Sequence, residues 1–549
     1  MTTGSDPATG LSRREVLGMA AAGAALAGTP IGVFAASGDS AQPGAPAVPP
    51  FEFEEATVAQ LGDALASGRM TSEALATAYL ERIAALNPSL RAVIEVNPEA
   101  LAIAAALDRE RGAGNVRGPL HGIPVVIKDN IATADRMQTT AGSLALVGAR
   151  APRDSAVADR LRRAGAVILA KTNLSEWANF RGEQSSSGWS GRGGQCRNPY
   201  ALDRSPCGSS SGTGVAISAS LAAVGVGTET DGSIVCPSHA CGLVGLKPTV
   251  GLISRAGIVP IAHSQDTAGP MARTVADAAA LLGALAGMDS GDAATGAAVG
   301  HISADYTTFL DPAGLKGARI GVARKGFWGY SPEADRVVEE AINAMAAAGA
   351  VIVDPAEIPH ADTYGEEEFE VLLYEFKADL NAYLGSWAAG APVGSLAAVI
   401  AFNEQHHDQE LRFFGQETMI KAQGKGPLTD KAYRKALNTC AKLSRVKGLD
   451  VVFAKHSLDA IVAPTGGPPW PIDVVNGDHF LGASSTPAAV SGYPSITVPA
   501  GEVFGLPVGV TFIARAWAEG TLIKLASGFE HATRHRRAPR FLPTADLGV

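Results

Sequence analysis

The stretch from Cys207 to Pro237 reads CGSSSGTGVAISASLAAVGVGTETDGSIVCP. It opens as a glycine/serine loop, continues as an apolar run of small residues, and closes in a glycine-containing turn that carries Ser233. Two serine loops joined by a buried element suggest one site built from both ends. In Thr230-Asp231-Gly232-Ser233, successive backbone N–H groups can converge on one point, a nest suited to a developing oxyanion. Small residues that merely permit tight packing explain a Gly/Ser loop equally well, so the chemistry must be sought in the rest of the chain.

The chain has 549 residues, of which 46% are hydrophobic and 18% charged, a balance that suits a large packed core rather than a disordered polymer. A net charge of -9 without a Lys/Arg-rich run argues against a nucleic-acid partner. Five cysteines are too few for a disulfide scaffold; Cys236 and Cys241 are near enough in sequence to pair, but an odd set proves nothing.

Ser12-Arg13-Arg14-Glu15-Val16-Leu17 precedes a small apolar run, Gly18 to Gly28, and Val33-Phe34-Ala35 fits a cleavage site. Residues 1–36 therefore read as a twin-arginine signal peptide, with export to the periplasm or the exterior and no stable membrane span after processing. The run is short for a membrane anchor. Residues 37–50, rich in Pro, Gly, Ala and Ser, read as a flexible linker, and 51–549 as the working domain.

Along that domain, Thr57 and Gln60 fit a capping box, and Leu75, Tyr79, Ile83 and Leu86 recur at helical spacing until Asn87-Pro88 ends the run. An Ala-rich helix follows over 100–111. Ile123 to Ile127 is a short apolar strand with Lys128 just past it; Val167 to Ala170 is a similar strand and places Lys171 the same way. A lysine at the end of a buried strand can enter a shared cleft, and the residues alone do not choose between the two. Ser331-Pro332-Glu333 starts a helix that runs to about Ala348, with Gly349 after it and strands at 320–323 and 351–353, a βαβ unit. Residues 363–448 read as mainly helical. Their aromatics, Tyr374 among them, suit either a substrate wall or plain core, and Pro468 to Asp473 is an irregular loop holding Trp470. Later strands fall at 460–463, 495–498 and 508–513. Without a repeat or a second linker, one α/β domain is the economical reading.

Several chemistries compete. Gly208-Ser209-Ser210-Ser211-Gly212 matches the G-x-S-x-G elbow of α/β-hydrolases with Ser210 as nucleophile, but the preceding Tyr200 to Pro206 is polar and proline-broken where a strand is required. Histidines for such a triad would come from His239, His263 or His301. A phosphate-binding loop would place a lysine after the last glycine, where Val215 stands. His531 and His535, and the adjacent His406-His407, lack the glutamate of a zinc-protease helix. A non-catalytic exported binding protein is the remaining alternative.

The same stretch resembles the amidase signature family, whose members hydrolyse carboxamides with a Ser-Ser-Lys triad. The family nucleophile matches Ser233 in DGSI, its bridging serine, held on a cis peptide, matches Ser209 in CGSSSG, and its lysine matches Lys128 in PLHGIPVVIKDN. Further matches are GLKPTVGLISR, DTAGPMARTV and GYPSITVPAG, so the likeness runs from about Leu61 to Thr544. YEFKADLNAYL and FFGQE make the chain most similar to the peptide amidases. Two departures stand out: Asp231 where Gly-Gly-Ser is usual, and Cys207 where glycine is usual.

The resemblance implies one domain with a central mixed, twisted sheet covered by helices on both faces, and no cofactor or metal. Unprotonated Lys128 would accept a proton from Ser209, which accepts one from Ser233, and the N–H groups of Thr230, Asp231, Gly232 and Ser233 would hold the oxyanion. Substrate contacts are sought at Tyr374 and Trp470. The substrate class so implied is peptide C-terminal amides, with aryl, aliphatic and fatty acyl amides as alternatives. A glutamine-hydrolysing subunit of a tRNA-dependent amidotransferase is the runner-up within the family, and the export signal argues against it.

Overall fold

The computed structural model describes residues 48–548. The twin-arginine segment, its cleavage site and most of the linker lie outside the described residues. Eleven strands build one sheet: β1 (Val93–Val96), β2 (Pro124–Lys128), β3 (Val167–Thr172), β4 (Val224–Glu229), β5 (Val244–Lys247), β6 (Thr267–Ala272), β7 (Arg319–Val322), β8 (Val351–Val353), β9 (Ala460–Pro464), β10 (Ser495–Val503) and β11 (Leu506–Ile513). Their order across the sheet is β1-β3-β2-β4-β6-β5-β10-β11-β9-β7-β8. β2 runs parallel to β3 and β4, and β7 parallel to β9 and β8; the other pairs are antiparallel. The sheet is mixed, as the resemblance implied, and helices flank it. Among the described residues no helix is long and apolar enough to cross a membrane.

Local sequence accounts for most element boundaries. Thr57 and Gln60 form the reciprocal capping box ahead of the Val58–Ala66 helix. Ser331 caps Pro332–Ala347, Gly349 follows at φ +96°, and β7 and β8 on either side are parallel, which completes the βαβ unit. One expectation fails: the helix over Ser72–Leu90 does not stop at Asn87-Pro88. Proline's fixed φ is compatible with a helix, and in the last turn only one hydrogen bond is forgone. The chain leaves two residues later, where Arg91 turns left-handed and the Asn87 side chain bonds both backbone groups of Val93.

Residues 363–448 are mainly helical as expected, led by Gly365–Trp387. Leu373, Phe376, Leu380 and Leu384 on that helix pack against Leu146, Trp177, Phe180 and Ile261, a core separate from the one under the sheet. That helix therefore packs on the loops that carry Leu146, Trp177, Phe180 and Ile261.

Candidate active site

The all-apolar run of β2, buried along its whole length, is what an interior parallel strand requires. It delivers Lys128 to the sheet's end. Register then separates the two lysines. Lys128 pairs with Thr172 and Ile127 with Lys171, so with side chains alternating along a strand, Lys128 and Lys171 emerge on opposite faces. On Lys128's face, Thr172 Oγ1 lies 2.7 Å from Thr213 Oγ1 of the Ser211–Ser218 helix. Lys171 instead donates to the Ile131 carbonyl and to Thr139 Oγ1, away from the serines.

Every residue of Ser211–Ser218 is buried, and the need for small residues is steric. A Cβ on Gly212 would sit 2.3 Å from the Ala92 carbonyl oxygen and 2.5 Å from that of Asn173. This close approach sets the start of the helix against the chain just before β1 and just after β3. Lys128 Nζ donates to Ser209 Oγ at 2.7 Å, to Thr228 Oγ1 at 2.9 Å and to the Thr228 carbonyl at 3.3 Å. Asn130 Nδ2 also donates to Thr228 Oγ1. The Gly208–Ser209 peptide is cis.

Ser233 arrives from the far end of the stretch. The Ser210 N–H donates to the Ser233 carbonyl, and a disulfide between Cys207 and Cys236 ties the two serine loops together. Cys241 is a free thiol, so the Cys236–Cys241 pairing that sequence proximity left open does not form. Cys207 has φ +57°, a region glycine enters at less cost, which is why glycine would be the easier residue there. At Gly232, φ is +82° and a Cβ would lie 3.0 Å from Ser485 Oγ, so glycine is required. Glu229 Oε2 accepts from the N–H groups of Ile234 and Val235 and fixes the turn after Ser233. The N–H groups of Asp231, Gly232 and Ser233 have no acceptor among the described residues.

Electrostatics follow from burial. Loss of water pushes the Lys128 ammonium down to about 7, against the attraction of Asp266 and Glu229, which acts the other way. Burial lifts Asp266 to about 6 even though the Thr230 hydroxyl and the N–H groups of Ile261 and Ala262 donate to it.

The rival sites do not assemble. No strand precedes Ser210, and its fully buried hydroxyl is engaged on both sides by Thr228, donating to the carbonyl and accepting from the N–H. His239 is held to about 4 by burial, and its ring meets backbone groups on both sides, accepting from the Gly509 N–H at Nδ1 and bonding to the Gly467 carbonyl through Nε2. One group of potential metal ligands converges among the described residues, His263, Glu375 and Asp379. Its carboxylates are already engaged: Glu375 accepts from the Ser264 N–H and the Tyr433 hydroxyl, and Asp379 accepts from the His263 N–H. The cluster reads as an ion-pair clamp between helix and turn. Trp470 packs on Cys207, Cys236 and Ala240, against the disulfide, and donates to Asp478. Tyr374 lies in a different cluster with Tyr364, Val371 and Tyr433, its hydroxyl bonded to Asp430.

Thr228, Gln265 and Glu368, all close to this site, carry no signature of their own in the sequence; only Asn130 and Asp266 sit inside recognisable blocks, VVIKDN and DTAGPM.

The sequence and the fold both recur in known proteins. The amidase family model matches residues 74–523, and the chain belongs to the amidase signature family. It is accordingly a hydrolase acting on amide C–N bonds. The chain is similar to a native peptide amidase from Stenotrophomonas maltophilia, with 53% identity and a TM-score of 0.86 over 90% of this chain and all (100%) of that one. It is likewise similar to the peptide amidase PAM solved with the competitive inhibitor chymostatin, at 53% identity and a TM-score of 0.87 over 89% of this chain and 100% of that one. A probable amidase of Arabidopsis thaliana is 42% identical over 90% of this chain and 93% of its own length.

Proposed function

We propose that the protein is an exported peptide amidase, which removes ammonia from peptide C-terminal amides by a Ser233-Ser209-Lys128 relay. The observation that carries the relay is the 2.7 Å contact between Lys128 Nζ and Ser209 Oγ, both fully buried side chains. With its pKa brought to about 7, roughly half of Lys128 is a free amine at neutral pH, against about one molecule in three thousand for an ordinary lysine. The two N–H groups of the neutral amine point at Thr228, and its lone pair accepts from Ser209. Ser209 in turn accepts from Ser233 as Ser233 attacks the amide carbonyl. The unpartnered N–H groups at 231–233 take the oxyanion. The relay then runs backwards: the proton held on Lys128 passes through Ser209 to the leaving nitrogen, which departs as ammonia. Water attacks the acyl-Ser233 ester by the same route and regenerates the serine.

The likeness to peptide amidases supports the substrate class, and Trp470, seated on the disulfide beside both serine loops, is the side chain we assign to the substrate wall. The twin-arginine pattern at Arg13-Arg14 supports export of the folded enzyme. The test is an ammonia-release screen of the mature protein on peptide C-terminal amides, aryl, aliphatic and fatty acyl amides, beside Ser233→Ala. A preference for a non-peptide class would replace the substrate reading, and turnover by folded Ser233→Ala would remove the mechanism.

A further inference from the structure

Beside the proposed oxyanion loop lies a buried chain of polar groups that the relay leaves unused. Glu368, in the first turn of the Gly365–Trp387 helix, accepts from Gln265 Nε2 at 2.9 Å, and the same nitrogen donates to the Thr230 carbonyl at 3.3 Å. Glu368 also faces the Asp231 carboxyl. On its other side, Asp231 Oδ2 accepts from Thr486 Oγ1 at 2.7 Å, the Ser485 hydroxyl also lies against the carboxyl, and Oδ1 is buried without a hydrogen bond of normal geometry. A proton carried by Glu368 is a further donor within reach of the Asp231 carboxyl. Thr230, Gln265 and Glu368 are all buried. The loop two residues before the nucleophile is thus gripped by a helix that belongs to a different core.

We infer that Glu368 and Gln265 are positioning residues, which anchor Thr230 and Asp231 so that the N–H groups at 231–233 hold their working geometry only while the Gly365–Trp387 helix is docked. This rests on the assignment of that loop to the oxyanion. The departure from the usual glycine at Asp231 is thereby explained, since its carboxyl is the handle by which the helix holds the loop. Two buried carboxyls in contact cannot both ionise, and burial together with Asp231 keeps Glu368 protonated well above the ordinary carboxyl range. The groups around the pair are Lys247, whose charge favours ionised Asp231, the hydroxyls of Ser485 and Thr486, and Tyr364 and Cys440, both themselves pushed up. As pH rises and Glu368 loses its proton, a hydrogen bond becomes a repulsion and the loop is released, so the device fails on the alkaline side.

The experiment measures kcat, KM and their pH profiles on whichever amide the screen shows to be turned over best, and affinity for a peptide aldehyde, which forms a tetrahedral adduct with a serine. The variants are Glu368→Gln, Glu368→Ala and Gln265→Ala, with folding followed by circular dichroism. Glu368→Ala and Gln265→Ala should lower kcat about tenfold, less than the ~10²–10³ lost when an oxyanion donor is deleted outright, with KM little changed and aldehyde affinity reduced in proportion to kcat. Glu368→Gln, which keeps a donor and an acceptor but does not titrate, should retain neutral-pH activity and lose the alkaline fall. Unchanged kcat in folded Glu368→Ala, or a Glu368→Gln variant with the wild-type alkaline fall, overturns the inference while leaving Ser233 dependence intact. Full activity in Ser233→Ala overturns the underlying assignment instead.

Discussion

Lys128 Nζ stands 2.7 Å from Ser209 Oγ with both side chains completely withdrawn from water. A charged ammonium in that position faces two threonine oxygens and a hydroxyl, and no carboxylate in direct contact. Burial therefore acts on the charge and favours the neutral amine, the form that the proposed relay requires.

If Lys128 works through Ser209, their losses overlap. Lys128→Ala and Ser209→Ala should each lower kcat/KM by about 10²–10⁴-fold, and the double variant by little more than the worse single one. Ser210→Ala should cost less than Ser209→Ala. Steady-state kinetics on the four variants decide this, and an additive double variant would separate the two residues.

The pH profile has a defined acid side. Lys128 accepts a proton only when neutral, so kcat/KM should fall as pH drops below about 7, where the amine becomes protonated. A profile flat down to pH 5 would show that another group is the base.

The disulfide links both serine loops, so its reduction should lower stability and activity together. Thiol titration of the denatured, unreduced mature protein should count Cys196, Cys241 and Cys440 only, with Cys207 and Cys236 appearing after reductant. Closing a loop of this size typically stabilises by about 2–4 kcal/mol, and a reduced protein should unfold at a correspondingly lower temperature.

Gly212 is the sharpest steric test of the fold around the site. Gly212→Ala drives a Cβ into two backbone carbonyl oxygens that cannot move independently, and overpacking of this kind costs about 1–3 kcal/mol. Chemical denaturation should report the loss. A neutral substitution would mean that the helix does not pack this closely.

Export can be checked apart from catalysis. Replacing Arg13 and Arg14 by lysine should leave the precursor in the cytoplasm, and fractionation with unchanged export would discard the twin-arginine reading.

Much of the architecture is legible in the chain itself. The capping box at Thr57, the βαβ unit around Ser331, the helical segment over 363–448 and the late strands depend on neighbours in sequence, because capping hydrogen bonds and alternation act over a few residues. The exit of the Ser72–Leu90 helix is not legible in this way, for the converse reason. A proline in a last turn forgoes only one hydrogen bond, and where the chain leaves the helix is fixed by a contact beyond it, the Asn87 side chain holding both backbone groups of Val93.

By itself the sequence marked two serine loops joined by a run of small residues, and two strand-end lysines that could serve them. The residues alone do not choose between them; the family resemblance favours Lys128, and the tertiary structure gives the physical reason. Lys128 and Lys171 each follow a short apolar run, and strand register sends one toward Ser209 and the other toward Ile131 and Thr139. The tertiary structure decided that Cys236 joins Cys207 rather than Cys241, and that Glu368 reaches the loop at Asp231. Such choices lie between residues far apart in the chain, where proximity is set by how strands and helices stack and not by the residues next door.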